Sequence, residues 1–466
     1  MHKQRLRLPD ERVRVVSIFS GIGSDFGTLV SCGVDPRDIV CVDVCPENAE
    51  TIRTRFPGAT VIPRDVRAPG LEKELRGKSG KYDLALVYIL CQASSGANRH
   101  RKTDDYRIGV GELGVDIACK LTTGRPNAMI ITEDVVGIKQ NQKESYERIV
   151  KRLKGAHGSF VEFTLSAHHA MTAMKRNRWF TVSASGVPQK DLDAVRDRVA
   201  AQRKLAQTER TSPTAGEVLD LYKHADKSLK GRTHMFMPVL RNQVSRVRSL
   251  ESPMRGLTLV YDRGGLSEKT FKRYCSEHFD RLKVPPQRVL VPRPQHLGVL
   301  AGLPWDTPWS RAKVCTCTAC TNEEGKPRGT PGGLQRANLL CPLQLFFIVA
   351  PAVRALTRAI AARAGTAPKA TAPPDDEKPN AFSVAVASMA RLALTTACYE
   401  ASAAQCGKAS RGEEPAEAWL AGSVAEEDLE TWLAGAVTDD KAREHIRIIH
   451  KRLGHPSVSE LRALYR

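Results

Sequence analysis

The strongest constraint on the fold is a series of short apolar runs, each ending on a glycine, an acid or a cysteine. Arg14 to Phe19, Ile39 to Asp43, Thr60 to Ile62, Tyr82 to Ile89 and Ala128 to Thr132 are rich in Val, Ile and Leu and show little polar alternation. Such runs fit strands buried on both faces. Helical patterns fall between them, at Gly27 to Val30 and at Pro46 to Phe56, where Pro46 occupies the opening turn and Glu47 and Glu50 lie near the positive end. Alternation of this kind predicts a doubly wound α/β sheet. Phe160 to Ser166 and Trp179 to Ser183 predict a late hairpin on that sheet, entered through the basic stretch Met174 to Arg178.

In open α/β sheets the ligand crevice lies beyond the carboxyl ends of the strands, so the residues just after each run matter most. Ser20-Gly21-Ile22-Gly23-Ser24 comes after the first run, and a glycine turn between strand and helix can present backbone N–H groups to a carboxylate or a nucleotide. Asp43 ends the second run roughly 20 residues on, the spacing at which a carboxylate reaches ribose hydroxyls. Asp65 lies just past the third run, and the fifth ends at Glu133-Asp134. The fourth ends on Cys91-Gln92, which puts one thiol at a strand tip, where it is either a packed small hydrophobe or a nucleophile in the crevice. The polar stretch Ser94 to Arg107 suits a loop that closes over a phosphate backbone, or simply a solvated loop.

Charge narrows the partners. The chain has 466 residues, with 71 Lys and Arg against 51 Asp and Glu, a formal net charge of +20 that favours a polyanion such as nucleic acid. No apolar run approaches the roughly 20 residues of a membrane span, and Met1 to Arg14 lacks the apolar segment of a signal peptide. The expectation is therefore an intracellular protein without a membrane partner, whose 12 cysteines are packed, metal-bound or catalytic. Composition shifts divide the chain into a basic tail (1–12), an α/β part (13–187), a smaller inserted domain with basic clusters (188–287), a return to the α/β part (288–364), a Pro/Ala-rich linker (365–380), an Ala-rich helical and acidic segment (381–440) and a terminal piece (441–466) carrying His445, His450 and His455. Cys315, Cys317 and Cys320 are dense enough to supply three thiolates to zinc, with Cys341, Cys275 or a histidine as a fourth ligand. Two complete Cys-x-x-Cys pairs, the fuller signature, are not present there.

From about Val13 to Ala355 the order of these segments resembles the cytosine-5 DNA methyltransferase family. Phe19-Ser20-Gly21-Ile22-Gly23 resembles its Phe-x-Gly-x-Gly cofactor loop, and Asp43 and Asp65 fall at its ribose-binding and adenine-contacting acids. Cys91-Gln92 resembles the end of its Pro-Cys-Gln nucleophile motif, Glu133-Asp134-Val135 its Glu-Asn-Val, and Arg176 and Arg178 the two arginines of Gln-x-Arg-x-Arg. Gly302-Leu303-Pro304 and the stretch Gln335 to Leu340, with Asn338, resemble the closing motifs that complete the cofactor pocket. Tyr88 stands where the family has glycine, Leu90 for proline, Asp134 for asparagine, Met174 for glutamine and Ala337 for glycine.

The resemblance implies a sheet of the S-adenosylmethionine-dependent methyltransferase type with a target-recognition domain at 188–287, and a nuclear protein that acts on double-stranded DNA. It implies S-adenosylmethionine held by Phe19, Ser20, Gly21, Gly23, Asp43, Asp65 and Asn338, and catalysis by Cys91, Glu133, Arg176 and Arg178. The chemistry needs these types together. Cytosine C5 is a poor nucleophile until a thiolate adds at C6, and an ordinary thiol of pKa ~8.5 is only a few per cent thiolate at neutral pH. Two alternatives stay open: tRNA cytosine methylation, although the Cys-Phe-Thr signature of that branch is not seen, and a nucleic-acid-binding relative without activity. His450 to Pro456 resembles the start of the zinc-binding region that precedes integrase in copia-type retrotransposon polyproteins; an ordinary helix with surface histidines is the other reading.

Overall fold

The strands Val15–Ile18 (β1), Ile39–Val42 (β2), Thr60–Ile62 (β3), Leu84–Tyr88 (β4), Ala128–Val135 (β5), Ser159–Ser166 (β6) and Asn177–Ser185 (β7) form one sheet in the order β3-β2-β1-β4-β5-β7-β6. The chain is described by a computed structural model at residues 12–90, 94, 106–170, 172–174, 176–208, 218–219, 226, 229, 234–237, 258–261, 289–290, 294–303, 307 and 341–363. It divides into two units, Met1–Thr371 and Ala372–Arg466, and all the described residues lie in the first. Cys91, Asn338, the Cys315–Cys317–Cys320 group and the segments after residue 363 lie outside the described residues.

The first five strands pair in parallel, and β7 runs antiparallel between β5 and β6. Both α/β expectations therefore hold: a doubly wound sheet, closed by a hairpin. The inner strands β2, β1, β4, β5 and β7 are buried on both faces because helices cover each side, while the edge strands β3 and β6 are only partly buried. On one face Val16, Ile18, Val40, Ala85, Val87 and Ile130 pack under Leu71–Ser79 (α3), Tyr106–Thr122 (α4) and Lys143–Ala156 (α6). On the other lie Phe26–Ser31 (α1), Gln189–Thr208 (α7) and Pro342–Arg363 (α9), which pack on one another and on β5 and β6. Pro46–Arg55 (α2), which packs against β3, has Pro46 and Glu47 in its first turn and Arg53 and Arg55 in its last, matching side-chain charge to the helix dipole. Ile138–Asn141 (α5) and Pro294–Leu300 (α8) are short connectors, and His234–Met237 (β8), Thr258–Tyr261 (β9) and Val289–Leu290 (β10) form a separate sheet in the order β10-β8-β9.

Two elements depart from simple expectation. α7 buries Leu192, Val195 and Val199 and packs against β6, so the stretch just after residue 188 extends the layer on the large sheet. α9 is, by length and composition, apolar enough to cross a membrane from Gln344 to Arg363, contrary to the expectation that no run approaches that length. Arg354 and Arg358 interrupt this run without lowering its mean hydropathy below that of a span. Its Leu345, Ile348, Val349, Val353 and Leu356 are buried within the fold, which makes it a core helix here.

Candidate active site

Strand order reverses between β1 and β4, and in a doubly wound sheet that switch point opens a crevice at the carboxyl ends. The chain leaves β1 through Phe19, whose φ of +60° is a conformation that costs an L-residue about 1–2 kcal/mol. Its N–H donates to Val42 O (2.9 Å) and its ring rests on α4 at Gly114, where a Cβ would lie 2.5 Å from ring atom Cε2. The strained residue is thus held from two sides. Gly21 and Gly23 continue the turn at φ +55° and +67°, and Ser20 Oγ–H donates to Ser17 O (2.9 Å).

Asp43, at the tip of β2, closes this cradle. Its Oδ2 accepts Gly21 N–H (2.9 Å), and its Oδ1 accepts Cys45 N–H (2.9 Å) and Asn48 Nδ2–H (3.0 Å). Three donors thus fix the Asp43 carboxylate against the glycine turn. Asp65 is placed just past β3, but Arg67 engages both its oxygens, with Nε–Oδ1 at 3.0 Å and Nη2–Oδ2 at 2.7 Å, and this pairing holds the carboxyl below the usual range. From the return segment, Leu303 and Cys341 pack with Ile22 of the glycine loop, so the late part of the chain does come back to the cradle. Gly302, at φ +90°, makes the turn after α8 that delivers Leu303.

On the other side of the switch point, β4 and β5 bring the remaining groups together. Tyr88 lies opposite Glu133 in the ladder, and Ile89 N–H donates to Glu133 O (2.9 Å). Arg178, from the second residue of β7, places Nε 2.6 Å from Glu133 Oε1, with both side chains under 10% exposed. Neither atom completes an aligned hydrogen bond, so the contact is an ion pair with donor and acceptor capacity left over. Burial pushes the Glu133 carboxyl up, and Arg178 and then Arg176 pull it back in part. Gln344 of α9 fixes the loop end of the β6–β7 hairpin, donating to Leu165 O (2.7 Å) and Arg176 O (3.3 Å).

No family model matches this chain, and no curated protein does. Solved structures give low-identity likenesses: S. pombe Dnmt2 methyltransferase (15% identity, TM-score 0.45, 74% of this chain and 99% of that one) and a protein described as a DNA modification methyltransferase encoded within a prophage, from E. coli (15%, 0.43, 74% and 99%). A third is the Entamoeba histolytica methyltransferase EhMeth (12%, 0.41, 74% and 98%). At that level of likeness the reading of function rests on the residues themselves.

The two unusual residues before Cys91 have places of their own. Leu90 packs against the core on the α4 side. Tyr88 points to the opposite face, where its hydroxyl interacts with Asp25, a residue the sequence did not single out. Asp25 is 0% exposed, its Oδ2 accepts from Ser17 Oγ (3.2 Å), and burial pushes it up to about 6. Sequence reasoning also passed over Arg67, Gly114 and Gln344. Only the glycines at 109, 111 and 114 within one helix offered a signal, since close helix-to-sheet approach needs missing Cβ atoms.

Proposed function

We propose that this chain is an S-adenosylmethionine-dependent cytosine-5 methyltransferase of double-stranded DNA. The observation that carries the reading is the buried Glu133–Arg178 pair one strand away from a glycine cradle tied to Asp43, with the strand between them leading into Cys91. The cradle fits a nucleoside-containing ligand: positive-φ glycines, a carboxylate fixed beside them and an aromatic ring at Phe19. Phe19, Ser20, Gly21, Gly23, Asp43 and Asn338 would hold S-adenosylmethionine, and Asp65 would join them once Arg67 yields one of its oxygens. When bound, the cofactor supplies a methyl group on a sulfonium.

The chain's own residues would do the rest. The Cys91 thiolate adds to C6 of the base, and the electron pair of the C5–C6 double bond moves into the ring toward N3. Glu133, whose carboxyl burial raises, delivers a proton to N3 as negative charge builds on the ring. Arg178 holds Glu133 and, with its remaining donors, orients the base, while Arg176 contributes positive charge beside them. After methylation, water takes the C5 proton, the thiolate departs from C6 and the N3 proton returns to Glu133, which restores the ring. Because C6 is inaccessible in a duplex, the cytosine must be flipped out, at a cost of a few kcal/mol recovered from contacts to the DNA backbone.

The test is transfer of labelled methyl groups to duplex DNA and, in parallel, to tRNA. Wild-type protein is expected to label cytosine C5 in DNA, Cys91→Ala to label nothing, and DNA containing 5-fluorocytosine to trap a covalent adduct through Cys91. Labelling of tRNA alone would shift the substrate. Methylation that persists in Cys91→Ala would overturn the mechanism.

A further inference from the structure

The Glu133–Arg178 contact crosses two strands on a diagonal. In the β5–β7 register Glu133 lies opposite Phe180 and Arg178 opposite Val135, so the two side chains share a face but stand two residues apart, a separation that only a long side chain covers. Arg178 is also the second residue of β7, where the ladder has just begun and strand ends fray. What holds that end comes from a distant part of the chain. Leu165 is the cross-strand partner of Arg178 on β6, and its carbonyl oxygen accepts Gln344 Nε2–H of α9 (2.7 Å). The same amide nitrogen donates to Arg176 O (3.3 Å), which also accepts Ala167 N–H (3.0 Å). Gln344 is 1% exposed, and its two N–H groups are thus engaged by the residue opposite Arg178 and by the residue two before it. A second buried glutamine, Gln202 of α7, donates to His169 O (2.9 Å) in the same hairpin loop, at a residue that does not flank Arg178.

We propose that Gln344 is a positioning residue for the pair that receives the base: by bridging Leu165 O and Arg176 O it fixes the start of β7 and so sets the Arg178 guanidinium against Glu133. The inference rests on reading Glu133 and Arg178 as the groups that contact the flipped cytosine. Without the bridge this end of the hairpin keeps the bond from Ala167 N–H to Arg176 O but loses its tie to α9. Arg178, whose Nη1–H donates to Asn177 O (2.7 Å) and whose Nε faces Glu133 Oε1 (2.6 Å), then moves with the strand end that carries it. A misplacement of about 1 Å in a group that orients substrate costs on the order of 10²-fold in rate, so modest local opening is visible in turnover. The helix that carries Gln344 starts directly after Cys341, which packs with Ile22 of the glycine loop, so one helix start touches both the cradle and the arginine strand. Removing the amide acts on the second of these contacts and leaves the first in place.

The full-length wild type is compared with Gln344→Met, which keeps the side-chain length but has no donor, with Gln202→Met, with Arg178→Lys and with the double variant Gln344→Met, Arg178→Lys. Hydrogen exchange is followed by mass spectrometry on peptides from the β6–β7 hairpin, methyl transfer to duplex DNA gives kcat and KM, and calorimetry gives S-adenosylmethionine affinity. Gln344→Met is expected to speed exchange at 164–166 and 176–178 by roughly fivefold, the weight of one hydrogen bond. Its kcat is expected to fall roughly tenfold, with cofactor affinity within about twofold of wild type because no cradle residue is touched. Gln202→Met is expected to speed exchange near His169 by a similar factor and to keep kcat within about twofold. On top of Arg178→Lys, the Gln344→Met change is expected to lower kcat by less than about twofold, because the fork it positions is already gone. Unchanged exchange in Gln344→Met would overturn the proposal. So would faster exchange with wild-type kcat, a kcat loss matched by lost cofactor affinity, an equal kcat loss in Gln202→Met, or the full loss repeated on top of Arg178→Lys. Should Gln344→Met not fold, Gln344→Asn, which keeps a buried amide but is one methylene too short for the two carbonyls, decides by the same comparisons. If the wild type labels neither DNA nor tRNA, the proposed activity falls, and exchange at 176–178 in Gln344→Met against Gln202→Met still decides whether Gln344 holds the start of β7.

Discussion

At the residue scale the site is a set of buried charges, and their partners decide what each substitution does. Arg178→Met would take the cation away from the Glu133 carboxyl at 4% exposure, and removing one partner of a buried ion pair costs about 3–5 kcal/mol. Urea denaturation is expected to show that loss, with much of it recovered in the double variant Arg178→Met, Glu133→Gln, where no charge is left alone. Asp25 works in the opposite sense. Its carboxyl moves from 3.8 to about 6 on folding, so the folded state holds the proton more tightly. Stability is then greatest below the lower value, falls as pH rises from about 4 to about 6, and stays reduced above that. Asp25→Asn removes the penalty, and is expected to stabilise the protein by about 3 kcal/mol at pH 7 and by almost nothing near pH 3.5. Equal gains at both values would show that Asp25 does not titrate in this range. Glu133 and Arg178 were legible in the sequence because each sits at the end of a recognisable strand. Asp25 was not, because its importance comes from Tyr88 and Ser17 arriving across two other strands, and no spacing along the chain records that meeting.

At the element scale the helix α4 was the least legible and is among the most consequential. The strands announce themselves by Val and Ile runs, and the β6–β7 hairpin by its two apolar segments, whereas α4 carries glycines that lower helix propensity and blur its periodicity. The glycines are there for approach: a Cβ at Gly111 would lie 2.7 Å from Ile89 Cγ2, just as one at Gly114 would meet the Phe19 ring. Gly114→Ala sets two effects against each other. Propensity alone favours alanine by about 1 kcal/mol, while the added methyl displaces the ring that holds the strained turn into the cradle. The expected result is a thermal midpoint close to wild type with S-adenosylmethionine affinity weakened roughly tenfold in calorimetry, the effect of about 1.4 kcal/mol. Wild-type affinity would mean that Phe19 does not shape the cradle. His157 ties three elements in a different way: its ring nitrogens face Thr122 Oγ1 of α4 (3.3 Å) and Ser183 Oγ of β7 (3.0 Å) at the end of α6. Burial lowers it from 6.5 to about 4, so its contribution is complete above pH 6.5 and is lost as pH falls toward 4. That slope opposes the one from Asp25 over the same interval. His157→Gln is therefore expected to show stability that falls as pH rises from 4 to 6, with the Asp25 slope exposed.

At the scale of the whole molecule, the sheet brings groups from every part of the described chain to one edge. Phe19 and Asp43 come from its start, Glu133 and Arg178 from its middle, and Leu303 and Gln344 from its return, although residues 22 and 303 are far apart in sequence. This convergence was legible only as an order of motifs. Which strands would be neighbours, and that α9 would be a core helix despite its membrane-like hydropathy, depended on packing between distant segments. Charge is the one whole-molecule property that composition states outright. Among the described residues many arginines are already matched, as Arg64 is with Glu74, Arg148 with Glu112 and Arg152 with Asp116, so pairing within the fold does not account for the excess of +20. A surplus of this kind acts on a polyanion by releasing its condensed counterions. If the proposed duplex partner is engaged through 6–10 phosphates, affinity is expected to fall by roughly 10³–10⁵ between 50 and 200 mM salt, with a slope of log K against log salt near −0.9 per phosphate. Fluorescence anisotropy with a labelled duplex measures that slope directly, and because phosphate contacts carry no sequence information, duplexes of unrelated sequence are expected to share it. A slope near zero would mean that the surplus charge faces something other than the nucleic-acid backbone, and the DNA assignment would lose its electrostatic support.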